Sequence, residues 1–234
     1  MKLVKVKGII THTKDLSPTS REVAIALSQP IDFEAGAFMN LFIKVGDTTE
    51  RRAYSISSSP KDKDVITFSI RNKIGGKVSP LFWNDDIIGT EVDMMGPLGL
   101  NTLDKMKKDR VLLFGYGIGV SVIKGIYHGL EDREDVKEIS VMTGSRTKDE
   151  VVYKDFFDNA MKKDSRLNVS YVLSKPDDSS DTYLHGYIQG NVSHIDFNNA
   201  DIYICGQGDA CNALEQTIRE MNPGNSEFFI EDFH

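Results

Sequence analysis

The chain has 234 residues, with 28 basic and 35 acidic side chains, a formal charge of −7 and two cysteines. Phosphate-backbone affinity needs concentrated Lys and Arg, so this balance argues against nucleic acid as a partner. No apolar run approaches the roughly 20 residues of a membrane span, and residues 1–7 lack a signal-peptide centre, which predicts a cytoplasmic chain without a membrane partner.

Cys205 and Cys211 are too few for an iron–sulfur cluster, which takes about four ligands, and no zinc or His-x-x-x-His spacing occurs, so no metal is expected. The length suits two domains of about 100 to 150 residues each.

Over residues 1–100 apolar side chains recur at alternate positions: Val4 and Val6, then Val23, Ile25 and Leu27, then Phe38 to Val45, Tyr54 and Ile56, and Ile66, Phe68 and Ile70. Period two, punctuated by Gly, Pro and Asp, predicts an all-β domain built as an antiparallel β-barrel. Within it, Arg52-Ala53-Tyr54-Ser55 offers a planar cationic fork for phosphate, a flat ring and a hydroxyl in four residues. Together these meet the needs of FAD: a pyrophosphate grip, a cover for the isoalloxazine and a contact near its N5. Singly, Arg52 reads as a surface partner of Glu50, Tyr54 as a half-buried strand residue and Ser55 as an outward hydroxyl. On a regular strand Ser55 points opposite to Tyr54, so reaching N5 requires a bend or a ring edge that curls past the strand end.

Gly75-Gly76-Lys77-Val78-Ser79-Pro80 follows. Its glycines permit close backbone approach, and Pro80 suits the first turn of a helix through Leu81-Phe82-Trp83 whose free amides would bind an anion. The plain alternative is an ordinary strand-to-helix turn.

Residues 101–109 are polar and lysine-rich and are expected to form a linker between a domain at 1–100 and another at 110–234. Lys105, Lys107, Lys108 and Arg110 form either a basic patch that steers an acidic electron carrier or a solvated linker.

Beyond it the pattern changes. Val111-Leu112-Leu113-Phe114 is a continuous apolar run, and Val120, Ile123, Tyr127 and Leu130 recur at helical spacing. The unit repeats: a run at 139–142 before a helix bearing Val152, Phe156 and Ala160, a run at 169–173, and a run at 202–205 before Ala213, Leu214, Thr217 and Met221. Alternating strands and helices predict a parallel-sheet, Rossmann-like α/β domain.

Gly115-Tyr116-Gly117-Ile118-Gly119 lies between strand and helix, the context of a dinucleotide pyrophosphate site, although the spacing is not G-x-G-x-x-G. At the next strand end stands Gly144-Ser145-Arg146 in place of a ribose-binding carboxylate, which favours NADPH over NADH; a solvated, helix-capping loop is the alternative. Cys205-Gly206 ends the last run, where a buried small side chain and a reactive thiol are both open readings. The terminal Glu231, Phe233 and His234 either reach a neighbouring ring or complete the sheet.

In this order the motifs resemble the ferredoxin-NADP reductase superfamily, most closely the bacterial ferredoxin/flavodoxin NADP reductases, over nearly the whole chain. They are Arg52-Ala53-Tyr54-Ser55 with Ser59-Pro60, Gly76-Lys77-Val78-Ser79-Pro80, Gly96-Pro97-Leu98-Gly99, the glycines at 115–119, Gly144-x-Arg146, Ser174-Lys175, Tyr203-Ile204-Cys205-Gly206 and a terminal Glu-x-aromatic. The resemblance implies an FAD-binding barrel and an NADP-binding domain with the flavin at their interface. Arg52 would hold the FAD pyrophosphate with Lys77, Val78 and Ser79, Tyr54 would stack on the flavin, and Ser55 would bond near N5. The glycine loop would receive the nicotinamide dinucleotide, with Ser145, Arg146 and Lys175 on its 2'-phosphate, Cys205 beside the nicotinamide, Glu231 near the reaction centre, and Phe233 or His234 over the other flavin face.

The activity so implied is hydride transfer between NADPH and flavin, with single electrons passed to ferredoxin or flavodoxin. Alternatives are an NADH-dependent reductase component of an oxygenase, a free-flavin reductase, or a non-catalytic nucleotide-binding module. The chain departs from the family pattern at Val120, where proline is usual, at Lys175 and Tyr187, where arginine is usual or frequent, and at Phe33-Glu34-Ala35-Gly36-Ala37-Phe38, which lacks Pro-Gly-Gln.

Overall fold

A computed structural model of the chain describes residues 1–176 and 182–233, apart from the side chain of Asp85. By their internal contacts the residues form two compact units, one of Met1–Asp104 with Lys124–Gly129, the other of Lys105–Ile123 with Leu130–His234.

The first unit is the expected antiparallel sheet. Its six strands are β1 (Val4–Ser17), β2 (Ser20–Leu27), β3 (Phe38–Val45), β4 (Thr48–Ser55), β5 (Val65–Arg71) and β6 (Glu91–Leu98), in the order β4-β3-β6-β1-β2-β5. Alternation sends Val6 and Ile10, Val23 and Ile25, and Ile66, Phe68 and Ile70 inward, where they form one core with Met39, Leu41 and Met94. Just past β4, an antiparallel bridge between Ile56 and Phe68 and a bond from Ser57 N–H to the Thr67 carbonyl at 2.8 Å join that strand to β5. The two outermost strands of the order thereby meet, and the sheet curls into a half-barrel.

The second unit is the expected parallel sheet. Strands β7 (Arg110–Tyr116), β8 (Glu138–Ser145), β9 (Leu167–Leu173), β10 (Leu184–His185), β11 (Asp201–Gln207) and β12 (Glu227–Phe233) lie in the order β10-β9-β8-β7-β11-β12. Every described neighbour pair is parallel. Helices α1 (Val120–Leu130), α2 (Lys154–Met161) and α3 (Gly208–Glu220) intervene. Both faces of the central strands are covered, which is why β7 and β11 read as unbroken apolar runs rather than alternating ones. The terminal segment completes this sheet as β12, with Cys205 opposite Glu231 and Gln207 opposite Phe233.

Two local expectations are corrected. Val152 is buried but lies outside α2, because Tyr153 adopts a left-handed backbone (φ +60°) and resets the chain before the helix begins. The helix expected through Leu81-Phe82-Trp83 is a single 3-10 turn, Ser79–Trp83, that ends at the extended Asn84.

The lysine-rich stretch is also held in place. Leu103 donates its N–H to the Ala35 carbonyl, while the amides of Lys107 and Lys108 both donate to Asp201 Oδ2 at 2.7 Å.

Candidate functional sites on the two sheets

On β4, Glu50, Arg52 and Tyr54 occupy alternate positions and share one half-buried face. Arg52 NH1 donates to Glu50 Oε2 at 3.1 Å and to the Arg51 carbonyl at 2.8 Å. The simple ion-pair reading of Arg52 is therefore present alongside the ligand-binding one.

The Tyr54 ring is backed edge-on by Phe82, centroids 6.2 Å apart, and at a tilt by Phe68 at 6.4 Å. Burial pushes its phenol up to about 12 against the opposing pull of Arg52, so the ring stays neutral. Ser55 ends β4 opposite Phe38, and Ala53 is exposed between the two motif side chains.

The glycine-rich loop closes on itself: Gly76 N–H donates to the Lys73 carbonyl at 2.7 Å, and Lys73 N–H donates to Ser79 Oγ at 2.9 Å. Gly75 takes a positive φ of +74°. Val78 is buried in the core, and Lys77 extends so that its Nζ lies 3.4 Å from Glu50 Oε1. Two motifs 25 positions apart thus converge through one carboxylate. A pair of cations beside a fixed aromatic ring suits a pyrophosphate joined to a flat ring, so these residues fit FAD.

The parallel sheet builds its candidate site at the carboxyl ends of its strands, where ligands gather in open α/β sheets. From β7 the chain passes through a 3-10 turn, Gly117–Gly119, with Gly117 at φ +52°, into α1, whose N-cap makes no side-chain bond. A Cβ on Gly119 would overlap the Cys205 carbonyl oxygen, and one on Gly206, at φ +150°, would lie 2.7 Å from Tyr116 Cβ. The turn after β7 and the end of β11 therefore meet backbone to backbone. Uncapped amides over glycines form the cradle a dinucleotide pyrophosphate requires, so these residues fit a nicotinamide dinucleotide.

At the ends of the next two strands, β8 and β9, Ser145 is in register with Leu173, and Ser174 and Lys175 donate their N–H groups to the Ser145 and Arg146 carbonyls at 3.0 and 2.8 Å. Arg146 and Lys175 are thereby brought side by side, both exposed, while the Ser145 hydroxyl donates inward to the Glu150 carbonyl at 3.3 Å.

Gly186 N–H donates to the Leu173 carbonyl at 2.9 Å, which sets exposed Tyr187 at the next strand end in the same row. In the sequence Tyr187 is only a departure from the family pattern. Its signal was the preceding glycine, here at φ +96°.

Cys205 is buried, and burial, with Glu231 nearby, holds its thiol well above the ordinary value, so the group is a neutral S–H. Phe233 ends β12, and His234 lies outside the described residues. Of the basic residues expected as a patch, Lys107 pairs with Glu227 at 3.0 Å and Arg110 with Glu138 at 2.8 Å. Among the described residues no group of three His, Cys, Asp or Glu is placed to hold a metal, and no helix is long and apolar enough to cross a membrane.

A half-barrel with converging cations and a parallel sheet with a glycine-lined turn define the class of two-domain flavin and nicotinamide oxidoreductases. The oxidoreductase FAD-binding domain family matches residues 7–102, and the oxidoreductase NAD-binding domain family matches residues 113–215. The chain belongs to the ferredoxin reductase-like superfamily.

Among curated relatives it is 26% identical to the reductase component of phenol 2-monooxygenase from Pseudomonas sp. (strain CF600), over 97% of this chain and 65% of that one. It is 29% identical to the electron transfer component of 2-halobenzoate 1,2-dioxygenase from Burkholderia cepacia, over 90% of this chain and 62% of that one. The chain thus spans somewhat less than two-thirds of the length of these relatives. A ferredoxin NADP+ reductase from Neisseria gonorrhoeae with bound FAD and NADP shares the fold, with a TM-score of 0.80 and 18% identity over 98% of this chain and 99% of that one. So does the Amycolatopsis cytochrome P450 reductase GcoB, with a TM-score of 0.86 and 21% identity over 97% and 70%.

Proposed function

We propose that this chain is an NAD(P)H-dependent flavoprotein reductase that delivers single electrons to a separate protein redox centre. The observation that carries the reading is the convergence of Arg52 and Lys77 beside Tyr54 in a chain whose second sheet presents a glycine-lined turn. FAD, when bound, supplies the chemistry: it accepts a hydride from the nicotinamide and returns electrons singly.

The chain's residues bind and orient. Arg52 and Lys77 would hold the flavin pyrophosphate with the Val78 and Ser79 segment, Tyr54 would cover the ring, and the Ser55 hydroxyl would serve near its N5. The amides at 117–119 would receive the nucleotide pyrophosphate, and Arg146 and Lys175 would face the adenosine end with Tyr187 beside them, whereas the Ser145 hydroxyl would have to turn from the Glu150 carbonyl to join them. Cys205, as a neutral thiol, and Glu231 shape the nicotinamide side, where Phe233 ends the strand.

The described cysteines are both buried and too few for an iron–sulfur cluster, so the acceptor is a centre outside these residues. Ferredoxin or flavodoxin is one such carrier in the cytoplasm. The second reading, service to an oxygenase, is favoured by the named functions of the two curated relatives.

Anaerobic titration of the FAD-loaded protein with NADPH and NADH tests this reading. Bleaching of the oxidised flavin band at lower NADPH concentration supports it together with the 2'-phosphate contacts. A preference for NADH retains the reductase and overturns those contacts, and bound FAD that neither nucleotide bleaches overturns the reading.

A further inference from the structure

Glu50 touches both candidate pyrophosphate cations. Its Oε2 lies 3.1 Å from Arg52 NH1 and its Oε1 lies 3.4 Å from Lys77 Nζ. The carboxylate is the most sheltered of the three, its side chain 22% exposed against 41% for Arg52 and 70% for Lys77. Hydrogen bonds from Arg52 first and Lys77 second hold its carboxyl below the usual glutamate value, so it is an anion throughout the working range.

We propose that Glu50 is a built-in competitor for the flavin phosphates: an internal anion that satisfies Arg52 and Lys77, keeps the loop at 75–79 aligned with β4, and sets how tightly a phosphorylated flavin binds. This rests on the reading of Arg52 and Lys77 as pyrophosphate ligands. A diphosphate must displace the carboxylate from these donors or share them with it, and sharing puts like charges side by side. The site is then pre-formed but tuned below its full affinity. The Lys77 side chain, which is largely exposed, can swing its ammonium from carboxylate to phosphate while the loop backbone stays in place.

The mechanism predicts a gain of affinity, which a merely structural residue would not give on substitution. Glu50→Gln preserves shape and removes the charge. Because exposed ion pairs are individually weak, the expected effect is about fivefold tighter FAD binding, followed as flavin fluorescence quenching on titration into the apoprotein. Affinity for riboflavin, which carries the ring and no phosphate, should stay as in the wild type. The salt dependence of FAD binding should steepen, because Arg52 and Lys77 would then exchange solution counterions rather than a fixed carboxylate.

Arg52→Gln in parallel separates the two claims. It should weaken FAD at least about tenfold and leave riboflavin unchanged, in keeping with the strength of charge-assisted phosphate bonds. If Arg52→Gln weakens FAD while Glu50→Gln weakens it too or leaves it unchanged, the competitor role is overturned and the pyrophosphate reading stands. Unchanged FAD affinity in Arg52→Gln overturns both.

Discussion

In the antiparallel sheet the candidate phosphate contacts are charged side chains, Arg52 and Lys77, which meet on Glu50. In the parallel sheet they are backbone amides over Gly117 and Gly119, with exposed Arg146 and Lys175 at neighbouring strand ends. The two arrangements tolerate change differently. A side-chain site can lose one charge and keep its shape, because strand pairing fixes β4 independently of Arg52. A backbone site has its shape as its chemistry, so any added atom at the close approach is felt at once.

Gly119→Ala should have the largest effect of the substitutions that test this contrast. Its Cβ would overlap the Cys205 carbonyl, a backbone atom of a central strand with no freedom to withdraw. We expect a loss of about 3 kcal/mol or more in the parallel-sheet unit, since steric clash with fixed backbone belongs among the severe single-site effects. Thermal melting followed by the helical circular dichroism signal measures it, and nucleotide binding should fail even where the fold survives.

Gly8→Ala on β1 is the matched control. Its Cβ would meet Ile25 Cγ2, the flexible end of Met94 at 2.8 Å and, at 3.0 Å, the Ala26 carbonyl oxygen. Met94 can shift and the backbone contact at Ala26 is less severe than the one at Gly119, so the cost should be about 1 to 3 kcal/mol, the range of ordinary overpacking. The single tryptophan, Trp83, sits in the half-barrel unit, so its fluorescence in a urea titration reports this change. If Gly8→Ala proves as damaging as Gly119→Ala, the distinction between a forgiving and an unforgiving site is wrong.

The same contrast governed what could be read from the chain. Both sheets were legible because their periods differ: alternating Val23, Ile25 and Leu27 in one, unbroken Val111-Leu112-Leu113-Phe114 in the other. Arg52, Tyr54 and Lys77 stood out as residue types in a spacing. The Arg52–Glu50 pair was one open reading, but the arrival of Lys77 at the same carboxylate was not visible, because it joins positions 27 apart through a loop fold that no local pattern encodes. The start of α2 was misplaced because Tyr153 adopts a positive φ without being glycine, the usual marker of that conformation. Tyr187 was visible only as a residue, and its place in the row with Arg146 and Lys175 follows from the Gly186 bond to β9.

Asp201 extends the contrast from shape to charge. It opens β11 fully buried, accepts the Lys107 and Lys108 amides on Oδ2, and leaves Oδ1 without a hydrogen-bond partner among the described residues. Burial raises its carboxyl above the ordinary value, and the two amides pull it only part of the way back. Glu50 in the half-barrel shifts in the opposite direction.

The signs therefore differ. A group raised in the fold adds stability below its unfolded pKa and loses it as pH rises through the folded value, whereas a lowered group adds stability above its unfolded pKa and loses it as pH falls. Asp201→Asn keeps an acceptor for the two amides and cannot ionise. Its stability relative to wild type should accordingly rise from about pH 4, the unfolded carboxyl value, and level off once wild-type Asp201 is ionised. Urea midpoints at stepped pH measure the difference, with Glu50→Gln as the comparison whose relative stability should fall over the acid range as pH rises. A flat or falling difference for Asp201→Asn would mean that the Lys107 and Lys108 amides outweigh burial, and that the buried charge is a stabilising anchor.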